Sequence, residues 1–92
     1  MNFQLSIQFK EDIKRLKKEN PKLSSKVMDL FISIDDSEST HHLDGIGKPE
    51  LLKGNLGGCY SRKINDKHRL IYKYLNSSTT YLVSCYGHYD DK

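Results

Sequence analysis

Glu50, Lys53, Arg62, Lys63, Arg69, His88 and Tyr89 place a carboxylate, several fixed cations, an imidazole and a phenol in the second half of a 92-residue chain. Metal-free cleavage of a ribonucleic acid needs such a set. A base must take the proton of the ribose 2′-hydroxyl, cations must stabilise the charge that builds on the phosphate, and an acid must protonate the departing 5′ oxygen. Glu50 can accept a proton, His88 can donate one near neutral pH, and Arg69 can hold two phosphate oxygens in a planar fork. Charge points to the same segment. Between Lys48 and Lys73 there are seven basic residues (Lys48, Lys53, Arg62, Lys63, Lys67, Arg69, Lys73) against two acidic ones (Glu50, Asp66), although the whole chain carries only +3. Basicity confined to one segment is what a phosphate-facing surface leaves in a sequence. Taken singly, each residue also has an ordinary reading: Glu50 as a solvated partner of Lys48 or Lys53, Arg69 along a strand edge, His88 as C-terminal surface, and the basic run as a solvated face.

Such side chains need a scaffold, and the chain is short enough that it supports one core, so residues 1–92 are expected to form a single domain. Hydrophobic residues make up 36% of it, with six Tyr and three Phe to bulk out a core poor in aliphatic side chains. Phe3, Leu5, Ile7 and Phe9 alternate with polar residues, the period of an N-terminal strand. Lys10 to Asn20 carries Ile13 and Leu16 three apart among charged residues, which predicts a short amphipathic helix. Asn20-Pro21 marks a cap followed by a new helix to about Asp36, with Leu23, Val27, Leu30, Phe31 and Ile34 on its apolar face. Ser37 to Lys48 is a polar connection. Beyond a short strand near Leu51–Lys53, strands are expected at Cys59–Ile64, His68–Tyr74 and Thr79–Tyr86, with turns at Asn65-Asp66-Lys67 and Asn76-Ser77-Ser78. The resulting class is α+β, two N-terminal helices packed on a small antiparallel sheet whose other face is free to work.

Cys59 and Cys85 form no C-x-x-C pair, and no signal peptide or long apolar run is present, so a cytoplasmic protein with two free thiols and no membrane association is expected. Cys85-x-x-His88 has half the spacing of a zinc clip, and His41-His42 with Cys59 are the remaining candidates to complete it. With no second tight pair, neither a metal nor a cofactor is expected.

Three sequence blocks, G-K-P-E-x-L-K-x-N-L-x-G at Gly47 to Gly58, Y-S-R-K-I-x-D-K-H-R-L-I-Y at Tyr60 to Tyr72 and C-Y-G-H-Y at Cys85 to Tyr89, closely resemble the YoeB (Txe) toxins of the RelE/ParE superfamily. The resemblance is strong from about Gly45 to Tyr89 and extends to the first half only in element order and length. It implies a type II toxin–antitoxin toxin, a ribosome-dependent and metal-independent endoribonuclease that cuts messenger RNA and stops translation. On this resemblance Glu50 matches the general base, Arg69 the phosphate-stabilising arginine, His88 the general acid and Tyr89 the tyrosine beside it. Lys53 and Arg62 match basic positions that hold RNA or ribosomal RNA, with Lys48 added to that binding set. The implied partners are a YefM/Axe-like antitoxin, the ribosome with its mRNA, a second copy in a homodimer, and operator DNA through the antitoxin complex.

Two departures stand out. The usual S-R-R is Ser61-Arg62-Lys63 here, so a lysine occupies a position commonly filled by a catalytic arginine and loses the planar fork. The chain also continues past His88-Tyr89 through Asp90-Asp91-Lys92, which sets two carboxylates beside the expected acid. Both support an alternative, a catalytically weakened binding module that acts through an antitoxin in a complex repressing its own operon. The gyrase-poisoning branch of the superfamily is a third reading, opposed by Glu50 and His88.

Overall fold

The computed structural model describes residues 1–37 and 43–87. His41, His42, His88, Tyr89 and the Asp90-Asp91-Lys92 extension lie outside the described residues. The chain order is β1 (Asn2–Leu5), α1 (Ile7–Glu19), α2 (Pro21–Ser37), β2 (Glu50–Leu51), a 3-10 turn (Gly54–Leu56), β3 (Tyr60–Lys63), β4 (Arg69–Asn76) and β5 (Thr79–Ser84).

The helix hairpin forms where Asn20-Pro21 predicts it. The Asn20 N–H donates to the Leu16 carbonyl, and the Asn20 carbonyl accepts from the Leu23 N–H at 2.9 Å. Pro21 then opens α2 in its first turn, where a missing N–H removes no helical bond and the fixed φ suits the helix. The expected turns form as well. Asn65 Oδ1 accepts from the N–H groups of Lys67 (2.9 Å) and His68 (2.7 Å), and Asn76 Oδ1 accepts from Ser78 N–H at 2.9 Å. Both are side-chain-closed turns of the kind asparagine favours.

Two expectations need correction. The alternation from Phe3 to Phe9 does not continue as a strand, because Ser6 ends β1 and caps α1. Its Oγ accepts from Phe9 N–H at 2.9 Å and donates to the Val83 carbonyl at 2.7 Å. A hydroxyl that satisfies an orphan first-turn donor favours helix over further strand. Ile7 is consequently 79% exposed while Phe9 is in the core. The sheet is also mixed rather than wholly antiparallel. Its order is β1-β5-β4-β3-β2, antiparallel except that β1 runs parallel to β5 with Asn2 opposite Thr79 and Leu5 opposite Leu82. Parallel neighbours need a long crossover, and both helices lie between β1 and the later strands.

Both helices cover one face of the sheet. Phe9 and Leu16 from α1, and Val27, Leu30 and Ile34 from α2, cluster with Leu70, Tyr72, Leu82 and Cys85. The rings of Tyr60, Tyr72 and Tyr74 pack on the same side with centroids 5.2 to 5.9 Å apart. The opposite face carries a smaller apolar cluster of Leu52, Cys59 and Ile71, with Leu56 and Val83 against it. Parity along β3 and β4 therefore decides whether a side chain enters the main core or faces outward.

Candidate active site

On β3 the residues Ser61, Arg62 and Lys63 alternate in direction, and the pairing register fixes which side each takes. Glu50 stands opposite Ser61, Ser61 opposite Ile71, and Lys63 opposite Arg69. Directly opposed residues project on one side, so Glu50, Ser61, Lys63, Arg69 and Ile71 share the face away from the helices. At about 3.3 Å per residue and about 4.8 Å between strands, the α-carbons of Glu50 and Arg69 lie about 12 Å apart. Long side chains on that spacing can approach one phosphodiester from two sides.

Glu50 is exposed on β2, and Ser61 Oγ donates to its Oε1 at a long 3.5 Å. Lys63 forms an ion pair with Asp66 at 2.8 Å. The bond and charge of Lys63 hold the Asp66 carboxyl below its ordinary value, with Lys48 contributing more weakly. Lys48 and Lys53 are exposed on the segments that flank β2. Arg69 is half-buried at the start of β4, and its backbone N–H donates to the Gly87 carbonyl at 3.0 Å.

Arg62, expected among the RNA-holding cations, is placed elsewhere. It is 0% exposed, inside the protein beneath β3. Its Nε donates to Tyr72 Oη (2.9 Å), Nη1 to Ser33 Oγ (2.6 Å) and to the Ile46 carbonyl (3.1 Å), and Nη2 to the Asp44 carbonyl (2.9 Å). Arg62 pairs with Leu70, another core residue, so strand parity turns it inward while Ser61 and Lys63 turn outward. A side chain so enclosed cannot touch phosphate.

His68, which local pattern marks only as part of a sequence block, is 4% exposed. Its Nδ1 accepts from Gly87 N–H at 2.8 Å, and its ring lies 4.4 Å from that of Tyr86. Burial pushes its pKa down, which favours the neutral ring that can accept this bond. Gly87 is thus held through both its N–H and its carbonyl by the consecutive residues His68 and Arg69. The chain leaves for His88 from a point fixed beside Arg69.

Asp12 is the second residue missed. It is 6% exposed and accepts from Cys85 N–H at 2.9 Å and from Gln8 Nε2 at 2.7 Å. The spacing Phe9–Asp12–Leu16 would have put it on the buried stripe of α1. Burial, aided by the Asp12 charge, pushes the Cys85 thiol up to about 12. Both cysteines are free thiols and buried. Among the described residues no group of three or more His, Cys, Asp or Glu could hold a metal ion, and no helix is long and apolar enough to cross a membrane.

The architecture recurs in solved structures. The YoeB dimer from Staphylococcus aureus superposes with a TM-score of 0.83 at 42% identity, over 97% of this chain and 98% of that one. The toxin in the heterotetrameric YoeB–YefM complex from the same organism gives 0.80 at 40% identity over the same shares. The fold is that of small bacterial toxins. Toxin YoeB of Synechocystis sp. is 52% identical over 46 residues, 50% of this chain and 52% of that protein, so the chain spans about half the length of this curated relative. The family described as YoeB-like toxin of bacterial type II toxin-antitoxin system matches residues 5–89, and this chain belongs to it.

Proposed function

We propose that the chain is a ribosome-dependent endoribonuclease that cleaves messenger RNA without a metal ion and thereby stops translation. The observation that carries this reading is the common outward face of Glu50, Lys63 and Arg69. Glu50 takes the proton of a ribose 2′-hydroxyl as that oxygen attacks the adjacent phosphorus. Arg69 and Lys63 stabilise the charge on the phosphorane oxygens. As the bond from phosphorus to the 5′ oxygen breaks, His88 supplies the proton to that oxygen, with Tyr89 beside it. The products are a 2′,3′-cyclic phosphate and a 5′-hydroxyl fragment, and DNA, lacking the 2′-hydroxyl, is refused. Lys48 and Lys53, exposed at the rim, hold the RNA backbone.

The expected partner is an antitoxin of the YefM type, as in the staphylococcal complex, with an acidic segment that folds over the basic face. A homodimer fits the staphylococcal toxin dimer, and operator DNA is reached through the antitoxin complex. The site of action is the cytoplasm, where ribosomes present the substrate. Ribosomes programmed with mRNA should acquire new 5′ ends on adding the protein, read by primer extension. Glu50→Gln should slow their appearance by about 10² to 10⁴-fold, the contribution of a general base. No new ends with the wild-type protein would refute the reading.

One observation favours a second reading, a weakened toxin that acts mainly by binding its antitoxin. The Lys63 ammonium, in the position of a catalytic arginine, is engaged by Asp66 at 2.8 Å. Harmless overexpression together with tight antitoxin binding would support it.

A further inference from the structure

Arg62 is a buried cation with an unusual set of partners, since it joins α2, β4 and the segment that leads into β2. Ser33 Oγ accepts from Arg62 Nη1 at 2.6 Å and also from the Ile46 N–H at 3.1 Å, so one hydroxyl ties the guanidinium and the 44–47 backbone to α2. The carbonyls of Asp44 and Ile46 accept from Nη2 and Nη1. One residue on, the Gly47 carbonyl accepts from the Lys63 N–H at 2.6 Å. The backbone comes so near that a Cβ at Gly45 would sit 2.6 Å from Arg62 Nη1 and would also collide with Ser33 Oγ. Gly47, at φ +83°, would bring a Cβ within 3.1 Å of Arg62 Cβ. Three residues later the same segment delivers Glu50 to the edge of the sheet, where β2 has only two residues of pairing to hold it.

We infer that Arg62 is a positioning residue for Glu50: its inward guanidinium anchors residues 44–47 and so fixes where the carboxylate stands relative to Lys63 and Arg69. The inference rests on the endoribonuclease reading above for its consequence in cleavage, and on the hydrogen-bond network alone for the anchoring. The same strand thereby serves the site twice. Lys63 turns to the working surface, Ser61 is buried on that same side of the sheet, and Arg62 between them holds the approach to β2 from below. Burial pushes the Tyr72 hydroxyl above its ordinary pKa, so it remains a neutral acceptor for Arg62 Nε. A lysine cannot replace this arrangement, because a single ammonium lacks the planar spread of donors that reaches Tyr72, Ser33 and two carbonyls at once.

The test combines backbone exchange with cleavage in wild-type protein, Arg62→Lys and the milder Ser33→Ala. Amide hydrogen exchange at Lys63 should accelerate at least tenfold in Arg62→Lys and less in Ser33→Ala, exchange at Ile46 should accelerate in both because Ser33→Ala removes its acceptor directly, and core amides of β4 and β5 should stay protected. On programmed ribosomes the saturated single-turnover cleavage rate should fall at least tenfold in Arg62→Lys. The ribosome concentration giving half-maximal rate should stay within threefold, because the rim lysines are untouched. A residue that merely stabilised the fold would leave the saturated rate of the folded fraction unchanged, and that result overturns the inference. Unaccelerated exchange at Ile46 and Lys63 overturns it too, whatever the cleavage data. If wild-type protein leaves mRNA intact, the endoribonuclease reading fails, and the exchange arm alone then decides whether Arg62 anchors the segment.

Discussion

Replacing Gly47 with alanine separates two costs that the structure lets one assign. Gly47 has φ +83°, and Gly58, on the far side of β2, has a nearly identical φ of +86°. An L-residue in this left-handed region costs roughly 1–2 kcal/mol at either position. The surroundings differ. A Cβ at Gly58 would meet nothing within 4 Å, whereas at Gly47 it would lie 2.9 Å from Leu30 Cδ2 and 3.1 Å from both Arg62 Cβ and the Lys63 carbonyl oxygen. Leu30 is 0% exposed, so it has little room to retreat, and the backbone carbonyl has less. Overpacking of this kind adds about 1–3 kcal/mol. Gly58→Ala should therefore destabilise by about 1–2 kcal/mol, and Gly47→Ala by about 2–5 kcal/mol, out of a total near 5–15 kcal/mol for a domain of this size. Urea unfolding of the two variants beside wild type, followed by circular dichroism with a shared slope, measures the difference directly. Equal midpoints for the two variants would refute the steric argument, because the backbone cost is common to both. Gly47→Ala should also reduce cleavage by displacing the approach to Glu50, whereas Gly58→Ala lies away from that approach.

The remaining predictions concern titration and chemistry. His68 has a lowered pKa in the fold, so its contribution to stability is complete above its ordinary value of 6.5 and is lost as pH falls through the lowered value. Wild type should lose up to about 1.4 kcal/mol per pH unit in that window relative to His68→Asn. Parallel urea midpoints for the two proteins from pH 8 to pH 5 would reject the assignment. Cys85, 0% exposed and with its thiol pushed up to about 12, should resist iodoacetamide at pH 8 in the folded protein and react once unfolded in urea. Peptide mass spectrometry reads the outcome, and comparable labelling in both states would contradict the burial argument. Lys63→Arg restores a planar fork opposite Arg69 and should raise the single-turnover cleavage rate by about tenfold, equivalent to about 1.4 kcal/mol of transition-state stabilisation. An unchanged or lower rate would show that the lysine is no handicap.

The sequence by itself determined the features that local chemistry settles. Asn20-Pro21 suits the end of one helix and the start of another, Asn65 and Asn76 close their own turns, and the spacing of Val27, Leu30 and Ile34 matches the buried stripe of a helix. Sequence blocks pointed to Glu50, Lys63 and Arg69, which the strand register sets on one side of the sheet, while His88 and Tyr89 lie outside the described residues. Local pattern was silent wherever two neighbours could exchange roles. In Ser61-Arg62-Lys63 every residue is polar, so residue type gives no sign that both Ser61 and Arg62 are buried, and only the apolar Tyr60 and Ile64, two residues either side of Arg62, mark its side as the one facing the helices. Pairing with Leu70 chose Arg62, and acceptors from Ser33, Asp44, Ile46 and Tyr72, distant in the chain, made a buried guanidinium tolerable. The same reason accounts for Ser6, whose cap on α1 is reinforced by a bond to Val83, and for His68, whose partner is Gly87. Tertiary structure decided which of the neighbouring cations turns to the face away from the helices and which is enclosed beneath it, because burial is a property of packed neighbours rather than of residue type.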